Sequence, residues 1–425
     1  MIIIQGVNNP HNPFLPRLLA PVVEDSLQQF PVVVLTGARQ TGKSTLVQNL
    51  PSAGSRSYST LDDLDILARA KQSPETLLEQ SEQVTLDEVQ RVPEILLAIK
   101  RAVDRQRRKG RFLLTGSANL LLLRKVSESL AGRAIYLTLL PMSEREKRGV
   151  PDPGPWPELV TAKGVKDFVA SFRGHGAYKK DWADSALVGG YPPVVLAESQ
   201  TERVRWFEGY VRTYLERDLQ DIASISALID FRRLMGLAAL RVGQIVNQSE
   251  VARDAALSQA TVHRYLNLLE ASYQIVRLPA FTRSRSKRLI KAPKIFWTDT
   301  GFAAFLAGIF SPGDIRNHTL AGAMLENLIL TQILTWRETE SPRPHVYYWR
   351  TASGIEVDFV IESRHGLLPI EVKTTSRARL EDIRSLDFFL DEYSKDARIG
   401  LLFYGGKELV PLTPRIFAVP VGAVL

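Results

Sequence analysis

Apolar residues fall along this chain in short runs separated by polar or proline-rich breaks, and the runs predict the elements. Val32 to Leu35 is a four-residue apolar run that reads as a buried strand, preceded by a helix from Arg17 into Gln29 and followed by an amphipathic helix ending near Leu50. Further runs at Tyr58–Asp63, Val84–Gln90 and Arg111–Asn119 read as strand ends leading into turns or helices. Pro151-Asp152-Pro153-Gly154-Pro155-Trp156-Pro157 can continue neither helix nor ladder and sets a boundary near residue 165. Beyond it the pattern becomes helical. Glu202 to about Ile222 interleaves Arg203, Arg205, Arg212 and Arg217 with Trp206, Phe207, Tyr210 and Tyr214, and the aromatics are expected to form a buried face. Three helices follow, at Phe231–Gln244, Gln248–Ala256 and Gln259–Ser272. The last stretch alternates strand and helix: a strand at Lys294 turning into a helix, a helix over Leu320–Trp336, strands at Ile355–Glu362 and Leu368–Lys373, a helix over Leu380–Tyr393 and a strand over Arg398–Tyr404.

The first strand delivers Gly37, Ala38, Arg39, Gln40, Thr41, Gly42, Lys43 and Ser44, the pattern G-x-x-x-x-G-K-S, with Thr45 next. Strand, glycine loop and helix in this order make a phosphate-binding loop: glycines let the backbone turn its N–H groups inward on a polyphosphate, and the helix start adds positive potential. Lys43 is placed to reach the β- and γ-phosphates of ATP, and the Ser44 hydroxyl to ligate Mg²⁺. An ordinary glycine turn would share the spacing without the chemistry. Asp87 and Glu88 end the Val84 strand, as a magnesium-orienting carboxylate and a water-polarising one would. Ser117 and Asn119, ending the next strand, are candidates to sense the γ-phosphate, or they are simple helix caps. Arg133 follows Gly132 and could reach a neighbouring subunit's nucleotide, which would require a homo-oligomer; a solvated surface arginine is the plain alternative.

Ser249 to Leu266 has helix-turn-helix spacing, with Ala252, Leu257, Val262 and Leu266 inward and Gln259, Thr261, His263, Arg264 and Asn267 on the outer side. The segment 277–294 carries Arg277, Arg283, Arg285, Lys287, Arg288, Lys291 and Lys294 and no acid, which suggests a basic hairpin touching DNA phosphates; a module packing between domains or on protein would use the same spacing. Near the end, a hairpin turning over Ser363 to Gly366 would put Asp358 opposite Glu371, with Ile355, Val357, Phe359 and Ile361 on the other face. With Lys373 two residues on and Glu326 on the Leu320 helix, these carboxylates outline a metal-dependent nuclease site.

These motifs, together with TLDDLD, LDEVQRVPEIL, FLLTGSANLLLL, SLAGRAIYLTLLPMSERE, GGYPPVV and YVRTYLERDL, resemble the bacterial AAA-type P-loop ATPases joined to a C-terminal domain of unknown function, over nearly the whole chain. The resemblance implies an α/β multidomain protein: an AAA-type parallel-sheet ATPase at 1–165, a helical lid or linker at 166–230, a winged helix at 231–294 and a restriction-endonuclease-like domain at 295–425. Taken with the motifs, this architecture is read as an ATP-hydrolysing enzyme that remodels or translocates DNA; the alternative is a nucleotide-switched regulator that holds a protein partner and cuts nothing. Composition narrows little further. Basic residues outnumber acidic ones by 54 to 46, giving +8, which fits a polyanion partner without demanding one. The absence of cysteine excludes thiolate metal sites and cysteine nucleophiles, and with no apolar run near the roughly 20 residues a membrane span needs, a cytoplasmic protein is expected.

Overall fold

Five short strands form the first sheet, the three central ones fully buried: β1 (Val32–Thr36), β2 (Ser57–Thr60), β3 (Val84–Asp87), β4 (Phe112–Thr115) and β5 (Ala134–Thr138). The computed structural model describes residues 14–117, 130–162, 164, 167–168, 170, 172, 181–215, 228–288 and 291–425; Asn119 and Arg217 lie outside them. All five strands are parallel, in the order β2-β3-β4-β1-β5. Both faces are covered, as a parallel sheet requires. Ile95–Arg105 packs on one face through Ile95, Leu96, Ile99 and Val103, and Ala20–Gln29 covers the other with Val23 and Leu27. Thr85, the polar interruption in β3, is buried and accepts a hydrogen bond from Arg56 Nε at 2.9 Å. The ends of β1, β3 and β4 meet at one edge, where the order of connection reverses on either side of β1.

Gln200–Tyr210 forms the helix expected in the middle of the chain, and a wider helical turn follows at Val211–Leu215. Phe207 and Tyr210 are buried and Trp206 half-buried, while the Tyr214 side chain lies outside the described residues; Tyr191, Trp206, Phe207, Tyr210, Phe302 and Phe305 form one cluster, with Trp206 and Tyr210 stacked at 4.9 Å between ring centres. The helices Leu228–Ala239, Gln248–Ala255 and Gln259–Ala271 then lead to an antiparallel pair, β6 (Ile275–Leu278) and β7 (Lys294–Trp297). Gln259, His263, Arg264 and Asn267 are exposed on the third helix and Thr261 is half-buried.

The second sheet is mixed: β8 (His345–Arg350), β9 (Glu356–Ser363), β10 (Gly366–Lys373), β11 (Gly400–Tyr404), β12 (Val410–Pro411) and β13 (Ile416–Pro420), in the order β12-β13-β11-β10-β9-β8. Ala321–Arg337 lies on one face and Arg384–Glu392 on the other. Two expectations need correction here. The β9–β10 turn is two residues, because Ser363 pairs with Gly366, although the register is the one a four-residue loop would give. Strict alternation also fails in β9. Between Tyr347, opposite Val360, and Trp349, opposite Val357, two residues of β8 span three of β9. This bulge sends Val357 to the Arg384–Glu392 side while Phe359 and Ile361 pack against Ala321–Arg337.

No helix among the described residues is long and apolar enough to cross a membrane. Phe302 is fully buried at the centre of the aromatic cluster. Phe302→Ala is therefore expected to destabilise the middle unit by about 3–5 kcal/mol, read as a shift of its urea unfolding midpoint.

Candidate nucleotide site and a second carboxylate cluster

The loop after β1 is shaped by two glycines with positive φ. Gly37 has φ +146°, and a Cβ there would lie 2.3 Å from the Leu139 carbonyl oxygen; Gly42 has φ +91°. Arg17, 4% exposed, holds the loop from beneath: Nη1 donates to the Thr41 carbonyl at 2.7 Å, Nη2 to the Leu140 carbonyl at 2.6 Å and Nε to Glu146 Oε1 at 3.1 Å. Inside the loop Lys43 is buried, and its Nζ donates to the carbonyls of Gly37 at 3.1 Å and Ala38 at 2.7 Å. Burial lowers the Lys43 pKa to about 8 against the opposing pull of Glu88 and Asp87. The Thr41 hydroxyl donates to the Ala38 carbonyl, Arg39 and Ser44 are half-buried, and Gln40, at φ 62°, and Thr45 are exposed.

β3 brings its carboxylates to the same edge. Asp87 is buried and accepts from the Tyr58 hydroxyl at 2.8 Å and from the Thr115 hydroxyl. Burial and the adjoining Asp87 charge hold the Tyr58 hydroxyl well above its ordinary pKa, so it stays a donor. Glu88 sits at φ 59°, a left-handed conformation uncommon for a residue with a side chain and costly enough to mark a site. Gln90 Nε2 donates to Glu88 Oε2 and, at 3.0 Å, to Ser117 Oγ, while Gln90 Oε1 is buried and accepts no hydrogen bond. ATP and Mg²⁺ fit these residues. The loop offers a turned backbone and a lysine held only by replaceable carbonyl contacts, and an orphaned acceptor stands beside the Glu88 and Ser117 pair. Arg17, Tyr58, Gln90 and Thr115 escaped the sequence pattern; only Gln90 carried a signal, two residues past the acidic pair.

The middle of the chain closes on this edge. Gly190 N–H donates to Asp299 at 2.6 Å, its carbonyl accepts from Met142 N–H at 2.7 Å, and a Cβ on Gly190 would meet the Met142 carbonyl oxygen at 2.2 Å. Burial raises the Asp299 pKa to about 6. Pro192 thereby arrives 3.6 Å from where a Gly42 Cβ would be. The Tyr273 hydroxyl hydrogen-bonds Thr36 Oγ1, one residue before Gly37, at 2.9 Å. Arg133 lies apart. It precedes β5, whose parallel register with β1 puts it at the far end of the sheet, and its Nε binds Asp104 at 2.6 Å beside a cleft of about 290 Å³ lined by Val103, Asp104, Arg107, Gly132 and Arg133.

At the second sheet, Glu326, Asp358, Glu371 and Lys373 come together, joined by Glu356 and Lys294. Lys373 Nζ donates to Glu371 Oε1 at 2.5 Å, and Ser385 Oγ to Glu371 Oε2 at 3.1 Å. The pairing of β9 with β10 ends at Phe359–Ile370; beyond it Asp358 Oδ2 accepts the Val372 N–H at 2.8 Å, completing the ladder from a side chain. Lys294, 3% exposed, pairs with Glu356 Oε1 and stands 3.9 Å from Glu326 Oε2. Burial, then the Asp358 charge, pushes Glu326 well above the ordinary carboxyl range and Glu371 up to about 8. Among the described residues, no three or more His, Cys, Asp or Glu side chains are placed to hold a metal ion. In the basic segment, Arg277 binds Asn267, Arg283 the Glu392 carbonyl, and Arg288 binds Glu362 at 2.6 Å.

Residues 29–147 match the AAA domain family, 179–313 a domain of unknown function (DUF8612) and 321–424 another (DUF4143). The chain is similar to the uncharacterized protein Rv2008c of Mycobacterium tuberculosis and to the uncharacterized protein Mb2031c of Mycobacterium bovis, each 31% identical over 94% of this chain and 82% of the relative. Among solved structures, the Walker-type ATPase PABY2304 of Pyrococcus abyssi overlays with a TM-score of 0.43 at 15% identity, covering 68% of this chain and 94% of that one.

The low Lys43 pKa gives a pH test. Phosphate binds the ammonium form, of which the ligand-free loop has lost half near pH 8. A bound polyphosphate restores the proton, so ATP affinity should weaken as pH rises above 8, by up to about tenfold per unit. Nucleotide titrations from pH 7 to 9.5 measure this; Lys43→Arg, charged throughout, should be flat, and a flat wild-type profile would contradict it.

Proposed function

Because this chain belongs to the family of the uncharacterized mycobacterial proteins Rv2008c and Mb2031c, with an AAA domain over 29–147 and DUF4143 over 321–424, we propose that it hydrolyses ATP and uses the cycle to shift a helix-turn-helix unit on bound DNA. In this proposal the backbone of Gly37 to Ser44 and the Lys43 ammonium bind the phosphates, and Lys43 leaves the Gly37 and Ala38 carbonyls to do so. Ser44 and Asp87 would hold Mg²⁺, which supplies charge neutralisation on the phosphates. Glu88 takes the proton of the attacking water, and Ser117 and the free Gln90 carbonyl orient that water. Asn119, outside the described residues, is proposed as a further γ-phosphate sensor, and Arg133 as a residue acting on a neighbour's nucleotide in a homo-oligomer.

The observation that carries the coupling is the Tyr273–Thr36 hydrogen bond. Tyr273 follows the recognition helix Gln259–Ala271 by two residues, and Thr36 precedes the phosphate loop by one, so movement of the loop is felt at the DNA-facing helix. Exposed Gln259, His263, Arg264 and Asn267 support DNA as the ligand. A protein partner is favoured by a different observation: His263 is bonded to Asn267, and Arg264 lies over its own Tyr265 ring at 5.2 Å, leaving a face poor in uncommitted charge.

Steady-state ATPase rates with duplex, single-stranded and four-way-junction DNA at several salt concentrations decide between them. One DNA form should stimulate the rate, with the stimulation fading as salt rises. Lys43→Ala should lower the rate by about 100-fold or more. Tyr273→Phe should respond less to DNA than wild type does. A wild-type rate indifferent to every DNA form would replace DNA by a protein partner.

A further inference from the structure

The strand pattern outlines a divalent-cation site at Asp358 and Glu371, and the residues present do not fit one. We infer that the cation seat of this carboxylate cluster is taken by the chain's own Lys294, and that the cluster accepts no divalent metal while β7 remains docked. Lys294 comes from the two-stranded ribbon of the helix-turn-helix unit, not from the sheet that bears the acids. It crosses into the cluster with its side chain 4% exposed, against Glu356 and 3.9 Å from Glu326 Oε2. Glu326 Oε2 is buried and makes no hydrogen bond, and the Lys294 ammonium is the cation that faces it.

Three further oxygens of the cluster are engaged. Glu371 has Lys373 on one oxygen and Ser385 on the other, and Asp358 Oδ2 is spent on the Val372 N–H. A divalent ion entering here would have to displace an ammonium from its carboxylates or lie against it, which like-charge repulsion in a buried place opposes.

Lys294 is not a loose arm that a metal could push aside. Trp297, at the other end of β7, has its N–H and carbonyl bracketed by the Asn327 side chain at 2.8 and 2.9 Å, and the Tyr348 hydroxyl donates to the Ala292 carbonyl at 2.6 Å. Gly243 N–H donates to the Ile295 carbonyl at 2.8 Å, fixing the strand from the other side. The lysine thus joins the helix-turn-helix unit to the C-terminal sheet and supplies the positive charge a metal would otherwise bring.

The test is Mn²⁺ binding to nucleotide-free protein, followed by the electron paramagnetic resonance of free Mn²⁺. Wild type and Asp358→Asn should bind Mn²⁺ equally weakly. Lys294→Ala should gain one site at least tenfold tighter, and that site should vanish in the double variant Lys294→Ala/Asp358→Asn. A stoichiometric wild-type site abolished by Asp358→Asn would overturn the inference. So would a folded Lys294→Ala, verified by circular dichroism, that gains no Mn²⁺. If Lys294→Ala does not fold, the comparison of wild type with Asp358→Asn decides alone.

Discussion

The buried ion pair of Arg17 and Glu146 is the constraint on which the nucleotide edge depends. Both side chains are almost fully enclosed, 3% and 1% exposed, and the pair closes at 3.1 Å. Each is also fully used. Arg17 serves Thr41 in the phosphate loop and Leu140 at the exit of β5, and Glu146 accepts from the main-chain N–H groups of Leu18 and Ser143. Loop, first sheet and the start of the middle segment are therefore tied at one point. Removing either partner would strand a buried charge, at a cost of about 3–5 kcal/mol.

From that point the contacts run outward without a gap. Met142, two residues past Leu140, bonds Gly190; Gly190 bonds Asp299; and Asp299 caps the helix Thr300–Leu306 that carries Phe302 into the aromatic cluster. On a parallel route, Thr36 bonds Tyr273, whose carbonyl accepts from the Thr298 hydroxyl at the end of β7. Asn327 then grips Trp297 from the C-terminal domain. Each link is a hydrogen bond between buried or half-buried groups, and breaking one leaves a donor or acceptor unsatisfied. Domains joined in this way respond to one another, in contrast to domains held only by a flexible linker.

What could be read from the residues follows from how local each feature is. The buried strands and the phosphate loop are contiguous, so Val32 to Ser44 states both its strand and its turn chemistry. Arg17 looks like the start of an unremarkable helix because its partners are 24, 123 and 129 residues away. Arg288 and Lys294 belong to a run of bases without acids, which from the sequence reads as a surface awaiting phosphates, yet their counter-charges, Glu362 and Glu356, lie on β9. The bulge in β9 was hidden for a related reason: the period-two pattern of Val357, Phe359 and Ile361 is intact in the sequence, and only pairing with β8 breaks it.

The two buried lysines show why similar charges serve different ends. Lys43 is held by main-chain carbonyls, which are neutral, and burial pulls its pKa down to about 8. A polyphosphate offers that ammonium far better partners than the carbonyls do, so the loop gains by opening to it. Lys294 is equally buried, but Glu326, Asp358 and Glu356 outweigh the desolvation and hold its pKa above the ordinary value. Nothing a small ligand brings improves on those carboxylates, and withdrawing the lysine would leave them buried and uncompensated. Burial alone therefore does not mark a lysine as reactive; whether its partners are neutral or charged decides which one is released and which one stays.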